Sequence, residues 1–462
     1  VMTLEQEQEF ERLRAENAEL RQLLAEVQPQ LAAALARIAA LEAQLKGRGD
    51  PPAFVKPKRQ KAPSGGPRKQ RAAEHNTSRK RMQPTRIERH ALARCPECQY
   101  RLTGESLDYS REVLELPPPQ PVEVIEHQVV KRWCPHCVRW RSPQLDLTGQ
   151  VFGQGRIGVR VAALVAYLRT TLRLPVRQVQ QYLATLHDLH LSVGEIVELA
   201  HAVRQQLQGV ADQLLVAVRA QVAVHQDETG WRENGANGYI WTTACDGPHA
   251  VRHYVYSPSR GHQVPLRLLG PDFAGVLISD YYAAYNLIPG RHQRCWPHLL
   301  GDLHELKVMH AARDDVVRWA VAVRQLYDEA QSWLACERTA AERHSKYREL
   351  YHRACELGQQ YAFTTEHPCW ALAKRLLRHQ DELFQFVLQP GVPADNNLAE
   401  RSLRPLVIMR KISGGTRSPA GSLTRLTLAS LLGTWQARGL NPFVECLNAL
   451  QQPTLTAQAA SS

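Results

Sequence analysis

Two short apolar runs in this chain end on acids. Residues 222–231, VAVHQDETGW, read as a strand closing on Asp227 and Glu228, and residues 275–280, GVLISD, as a second buried strand closing on Asp280. Far downstream, residues 394–404, ADNNLAERSLR, place Glu400 in a helix opened by Asp and Asn capping residues. Two divalent cations held about 3.5–4 Å apart need such a set of hard oxygens, with positions left over for phosphate oxygens and water. Asp227, Asp280 and Glu400 are the candidate set, with Glu228 a neighbour rather than a ligand. Read one at a time, the same acids are ordinary strand-end or helix-surface residues, and Glu400 stands four before Arg404, the spacing of a surface ion pair.

A second metal chemistry is written in thiols. Cys95-Pro-Glu-Cys98 and Cys134-Pro-His-Cys137 are two CPxC knuckles, and four thiolates on two tight turns make a closed tetrahedral Zn²⁺ site with no position open for catalysis. The intervening segment alternates Val, Leu and Ile around Pro117–Pro119 and is expected to form the hairpin that joins the knuckles. Arg94, Arg101, Lys131, Arg132, Arg139 and Arg141 flank the thiols and suit DNA. The other six cysteines are scattered singly, which fits reduced thiols rather than a disulfide framework.

Further candidates surround the acids. Asn397 lies three residues before Glu400, where its amide would orient the carboxylate or a phosphate, and His298 of Cys295-Trp-Pro-His298 would place a water or touch a phosphate. Arg401, Arg404, Arg410, Lys411 and the loop Gly414-Gly415-Thr416-Arg417 form a basic segment suited to a phosphate strand. Trp231, Tyr281, Tyr282, Tyr285 and Trp296 cluster near the acids and read first as core, second as stacking surfaces for frayed bases.

The elements that must position these groups follow in order. Phe10, Asn17, Leu24, Leu31, Ile38 and Leu45 recur every seven residues, with Leu13, Leu20, Val27, Ala34 and Leu41 offset by three, so 1–46 reads as a coiled coil broken or kinked at Pro29. The whole chain carries +12, and residues 47–94 hold fourteen Lys and Arg against three acids, a net of +11. The stretch 47–92 is therefore a flexible basic linker, with Arg68, Lys69, Arg71, Arg79, Lys80 and Arg81 placed for salt-dependent contact with DNA phosphates. The zinc-binding domain is set at 93–150. Helical patterning from 151 to 218, with Pro175 and a Ser192/Glu195 capping box at helix starts, suits a helix-turn-helix-like DNA-binding domain or plain helical packing.

From 219 to 304 a three-stranded meander and a crossover would bring Asp227 and Asp280 to neighbouring carboxyl ends of a sheet. Residues 305–393 form an α-helical insertion, with Trp319, Val323, Leu326, Ala330 and Trp333 at helical spacing. The closing helix and basic loop occupy 394–440, and a last helix and tail 441–462. The longest apolar stretch, near residues 161–168, falls far short of the roughly 18 residues of a membrane span. With no secretory signal expected, the location is read as cytoplasmic and nucleoid-associated.

The strings HQDETGWRENGANGY, LISDYYAAYN, HQRCWPH and PADNNLAERSLRPLVIMRKISGGTRS resemble the insertion-sequence-sixty-six family of bacterial DDE transposases, from the first cysteine pair to about Glu445. The chain departs from the family pattern at Leu300-Gly301-Asp302, where consecutive basic residues are common. The resemblance implies a multidomain α/β protein with a ribonuclease H-like catalytic core. It also implies that Asp227, Asp280 and Glu400 bind two Mg²⁺ (or Mn²⁺) ions, and that DNA 3′-ends are cleaved and joined to target DNA. Accessory proteins of the same element often accompany such enzymes. The partners expected are double-stranded DNA and a second copy of the chain paired through the heptads. The alternatives are a catalytically inactive zinc-finger DNA-binding repressor or scaffold, and a structure-selective nuclease of the same fold.

Overall fold

The computed structural model describes residues 4–46, 82–152 and 155–452. Two compact units divide the chain, 1–115 and 116–462.

In the first unit, helix α1 (Leu4–Lys46) runs without interruption through Pro29, so the expected break does not occur. Leu13, Leu20, Leu24, Val27 and Leu31, the described leucines and valine of the heptad series, are all about half exposed. Among the described residues of the unit, nothing covers this stripe. The first cysteine knuckle is a tight turn in which Gln99 N–H donates to Cys95 O at 2.9 Å and Gln99 takes a left-handed φ of 61°.

The second unit opens with residues 116–131, which form neither helix nor strand. The hairpin expected between the knuckles is absent: among the described residues no strand lies between 102 and 131. The prolines of Leu116-Pro-Pro-Pro-Gln explain this, since each lacks the N–H that a ladder needs. Instead Val122 N–H donates to His187 O at 2.6 Å. Strands β1 (Arg132–Cys134) and β2 (Arg139–Arg141) then form a small antiparallel ribbon around the second knuckle.

Helices α2 (Val159–Thr170), α3 (Val176–His187), α4 (Val193–Gln206) and α5 (Gln208–Arg219) follow. The Ser192/Glu195 capping box is present at α4, with both reciprocal bonds made. Next come β3 (Ala223–Glu233), β4 (Ala236–Cys245), β5 (Val251–Ser257), α6 (Gln263–Leu269), β6 (Val276–Ser279) and β7 (Arg291–Arg294). The sheet order is β5-β4-β3-β6-β7, antiparallel on the β4–β5 side of β3 and parallel on the other. Asn234 and Gly235, both at positive φ, make the two-residue β3–β4 turn.

Strand alternation sorts the two faces. Val224 and its partner Leu277 point into a core built with α2–α6, whereas Val276 and Ile278 point the other way. That opposite core belongs to α7 (Trp296–Met309), α8 (Asp314–Trp333), α9 (Ala340–Tyr361), α10 (Trp370–Arg378) and α11 (Gln385–Leu388), the helical segment expected between Asp280 and Glu400. Trp319, Val323, Leu326 and Ala330 are buried there as their spacing requires. The helices of 159–219 share one apolar core with the sheet rather than forming one of their own.

Helix α12 (Asn397–Ser413) crosses the β3–β4 face, burying Leu403 and Leu406 against Trp231, Ile240 and Tyr254. A proline inside a helix costs about 3 kcal/mol. Each buried leucine contributes about 1.5–3 kcal/mol, so packing outweighs Pro405 within α12. Helix α13 (Pro419–Ala437) runs along the edge strand β5, where Ser430 Oγ and Thr434 Oγ1 accept the N–H groups of Tyr254 and Arg252, each at 2.9 Å. Those two hydroxyls, one helical turn apart, close an edge that would otherwise pair with another chain. Helix α14 (Pro442–Gln451) packs on α2 and α13 and completes the first core.

Candidate active site

The parallel register pairs His225 of β3 with Ile278 of β6. Two residues further along stand Asp227, still in β3, and Asp280, the first residue past the end of β6. Side chains two apart in a strand share a face, so both acids lie on the face that carries α7–α12. Glu400 sits in the first turn of α12. Burial pushes the Asp227 carboxyl up to about 8, with Glu228, Asp280 and Glu400 all adding in the same direction. Asp280 and Glu400 thus both act on the Asp227 carboxyl. Among the described residues, however, no three His, Cys, Asp or Glu side chains stand as a closed ligand set.

What fixes Glu400 relative to the strands is a residue that the sequence reading passed over. Asn396 precedes α12 but does not cap it with its side chain. Its Nδ2 donates to Gln226 O at 2.8 Å, its Oδ1 lies 3.1 Å from His225 Nδ1, and its N–H donates to Cys295 Sγ at 3.2 Å. The amide orientation set by Gln226 makes Nδ1 the protonated nitrogen of His225, and burial holds that imidazole down at about 4, hence neutral. Asn397, the residue expected to act, has its N–H taken by Asp395 Oδ1 at 2.9 Å, and among the described residues no hydrogen bond joins its amide to Glu400. The signal was present in the string ADNN, but the register of a helix start cannot be read to one residue from composition.

Asp280 is anchored through its backbone. Arg294, fully buried, donates from Nη1 to Asp280 O at 2.9 Å and to Ser279 Oγ at 3.1 Å, and from Nη2 to Asn286 Oδ1 at 2.9 Å. Its Nε meets Glu382 Oε2 at 2.5 Å, and His379 Nδ1 meets the same oxygen at 2.6 Å. The helical insertion is therefore tied to the strand end bearing Asp280. Sequence reasoning missed this network because its members are nearly ninety residues apart.

Glu228 spends both carboxylate oxygens on protein donors. Arg260 donates to its Oε1 from Nε at 2.9 Å and from Nη2 at 2.7 Å, and Tyr285 OH donates to Oε2 at 2.8 Å. Among the described residues no Lys or Arg pairs with Asp227 or Asp280. Asp227 and Asp280 are half-buried and Glu400 is exposed, and carboxylate oxygens of this kind, with no Lys or Arg on either aspartate, are the donor chemistry that a hard divalent ion satisfies. His298, in the first turn of α7, brings Nε2 to 3.7 Å from Glu400 Oε1. Asp302, one of the residues where the family pattern is broken, accepts from Arg375 Nη1 of α10 at 2.5 Å.

The basic candidates divide. Arg401, Arg404, Lys411 and Arg417 are exposed. Arg410 is not free for a phosphate strand: its Nη1 donates to Gly230 O and, at 3.2 Å, to Thr229 Oγ1. Nor is the loop after α12 an open row of N–H groups, because Thr416 N–H donates to Arg232 O at 2.9 Å and Asn234 N–H donates to Thr416 O at 2.8 Å. Gly415, at φ 127°, is required there, since a Cβ would run into Arg232 O. Arg68, Lys69, Arg71, Arg79, Lys80 and Arg81 lie outside the described residues. Trp231, Tyr285 and Trp296 are buried core residues.

Each cysteine pair has the local geometry of a metal knuckle. Cys137 N–H donates to Cys134 Sγ at 3.4 Å, and Val138, like Gln99, follows its pair in the left-handed region. Backbone donors from Cys98 and Glu97 hold Cys95, and one from Cys137 holds Cys134, below the usual thiol range.

The model of the Transposase IS66 family matches residues 154–424, which takes in all three acids. The chain belongs to this family. A second model, the zinc-finger binding domain of transposase IS66, matches residues 93–138 and spans all four knuckle cysteines. Similar curated proteins come from Sinorhizobium fredii (strain NBRC 101917 / NGR234). "Uncharacterized protein y4qI" is 29% identical over 51% of this chain and 49% of its own length. "Uncharacterized protein y4jO" is 29% identical over 36% and 49%, and "Uncharacterized protein y4jD" 24% identical over 79% and 75%. The chain spans about half the length of the first two relatives. Both matches thus belong to one family, and among the described residues no helix is long and apolar enough to cross a membrane.

Proposed function

We propose that the chain is a DDE transposase that cleaves DNA 3′-ends and joins them to target DNA, on a core of the ribonuclease H type. The observation that carries this reading is the matched position of Asp227 and Asp280 on parallel neighbours β3 and β6, with Glu400 delivered to the same face by α12. Asp227, Asp280 and Glu400 would hold two Mg²⁺ or Mn²⁺ ions, which when bound supply charge stabilisation to the attacking and leaving oxygens of phosphoryl transfer. Asp227, on which both other acids act, is proposed as the central member of the set that would hold the ions. Asn396 keeps Glu400 in register with β3, Arg294 holds the Asp280 peptide, and His298 stands where it can orient a water or a phosphate oxygen beside Glu400.

Cys95, Cys98, Cys134 and Cys137 are the proposed ligands of one structural Zn²⁺. DNA is bound through the exposed Arg401, Arg404, Lys411 and Arg417 and through the basic linker, and two copies pair along the uncovered apolar stripe of α1.

The test is Mg²⁺-dependent nicking and joining of DNA carrying the ends of the element that encodes the chain. Asp227→Asn, Asp280→Asn and Glu400→Gln should each abolish both reactions while leaving DNA binding in place. Equal activity in variant and parent would remove the enzymatic reading and leave a DNA-binding scaffold.

A further inference from the structure

The β1–β2 ribbon turns two tryptophans outward. Trp133 and Trp140 are register partners, so their side chains share one face, with ring centroids 5.8 Å apart at an interplanar angle of 68°. They remain 47% and 57% exposed. An indole is among the residues with most to gain from burial, and a three-residue ribbon that leaves two in water is presenting them rather than using them as core. The chain around them is cationic. Lys131, Arg132, Arg139 and Arg141 are all exposed, no acid occurs between Gln128 and Leu145, and Lys131 Nζ stands 5.3 Å from the centre of the Trp140 ring. Arg141 also reaches Cys137 Sγ at 3.5 Å, which joins the patch to the second knuckle.

Aromatic rings set among cations, in a segment without an acid from Gln128 to Leu145, match one kind of partner: unpaired bases on a phosphate backbone. Every base offers a π-face regardless of sequence, while the cations follow the strand. A closed duplex hides those faces, and a protein partner would call for acidic residues opposite the four cations. We propose that Trp133 and Trp140 form a stacking platform for unpaired DNA bases, so that the ribbon grips a frayed or single-stranded end rather than intact duplex. This deepens the reading above, since it rests on DNA being the partner, but it concerns binding alone.

The test uses the full-length, zinc-loaded protein in Mg²⁺-free buffer with three labelled probes: a 20-mer of thymidine, a blunt duplex, and the duplex with a single-stranded 3′ extension. Trp133→Ala and Trp140→Ala should each weaken binding to the two probes with unpaired bases by about tenfold, leave the blunt duplex within about twofold, and leave the salt slope unchanged. Trp133→Phe/Trp140→Phe should restore most of the loss. Photocrosslinking of the unaltered protein to 5-iododeoxyuridine in the extension should label Trp133 or Trp140, a readout that needs no variant to fold. Crosslinks confined to other segments, equal losses on all three probes, or unchanged single-strand binding with an altered oligomeric state would each overturn the proposal. Trp-dependent binding by a protein that fails to nick DNA when Mg²⁺ is supplied would instead count against the catalytic reading alone.

Discussion

The side-chain amide of Asn396 donates to the main-chain oxygen of Gln226 at 2.8 Å, so the residue that starts the Glu400 helix is bonded to the residue just before Asp227. Helix and strand are 170 positions apart in sequence and one hydrogen bond apart in space. Asn396→Ala would strand Gln226 O and His225 Nδ1 in a buried site, at about 1–3 kcal/mol for each orphaned group. Urea unfolding should report that loss. Mg²⁺-dependent nicking should fall by more than tenfold even where the variant is fully folded, because Glu400 loses its register. A variant that loses stability but keeps the parent's nicking rate would make Asn396 a purely structural clasp.

Asp227 gives a test with an unusual sign. Burial first, then Glu228, Asp280 and Glu400, raise its pKa to about 8, so without divalent ions the folded state holds a proton that the unfolded chain releases above about 4. Its contribution to stability is fully present below that lower value and is lost as pH rises through about 8. Asp227→Asn removes the titration. In Mg²⁺-free buffer its Tm should exceed the parent's by a margin that grows from pH 5 to 8 and then levels off. Added Mg²⁺ should raise the parent's Tm and leave the variant's unchanged. A parent Tm that stays flat across this range would mean that the carboxyl is not held protonated.

The sequence made the local elements legible and left the tertiary fasteners hidden. VAVHQDETGW and GVLISD announced strands through their apolar runs, Asn234-Gly235 announced a turn through its φ requirement, and Ser192 with Glu195 announced a helix start, because each of these signals is complete within a few residues. The hairpin expected between the knuckles does not form because three consecutive prolines, at 117–119, supply no N–H to a ladder. Of the kink or break expected at Pro29, the break is absent, because α1 continues through the proline. Arg294, Asn396 and Arg410 act across separations of 88, 170 and 181 residues, and no window of sequence contains both ends of such a bond.

Glu382 should set part of the acid limit of the fold. Burial by itself would raise its pKa, but the bonds from His379 and Arg294 outweigh burial and hold it at about 2. A depressed carboxylate stabilises the fold above its unfolded value, about 4.3 for glutamate, and that contribution is lost as pH falls toward 2. Glu382→Gln should therefore be less stable than the parent at neutral pH, with the two melting curves converging between about pH 4 and 2. Parallel curves over that interval would show that Arg294 draws no stability from the carboxylate.

Arg410 and its neighbours on α12 look alike in sequence and should behave differently. Arg410 spends its guanidinium on Gly230 O and Thr229 Oγ1, whereas Arg401, Arg404 and Lys411 point to water. Each phosphate contact removed from B-DNA binding lowers the slope of log K against log salt by about 0.9. Arg401→Gln and Arg404→Gln should each reduce the slope by up to that amount with Tm unchanged. Arg410→Gln should leave the slope as it is and lower Tm, because the β3 carbonyl it serves loses a charged donor worth about 1.5–3 kcal/mol. If Arg410→Gln instead lowers the slope with no loss of Tm, the guanidinium leaves β3 when DNA binds, and the phosphate-binding role first inferred from its position would be restored.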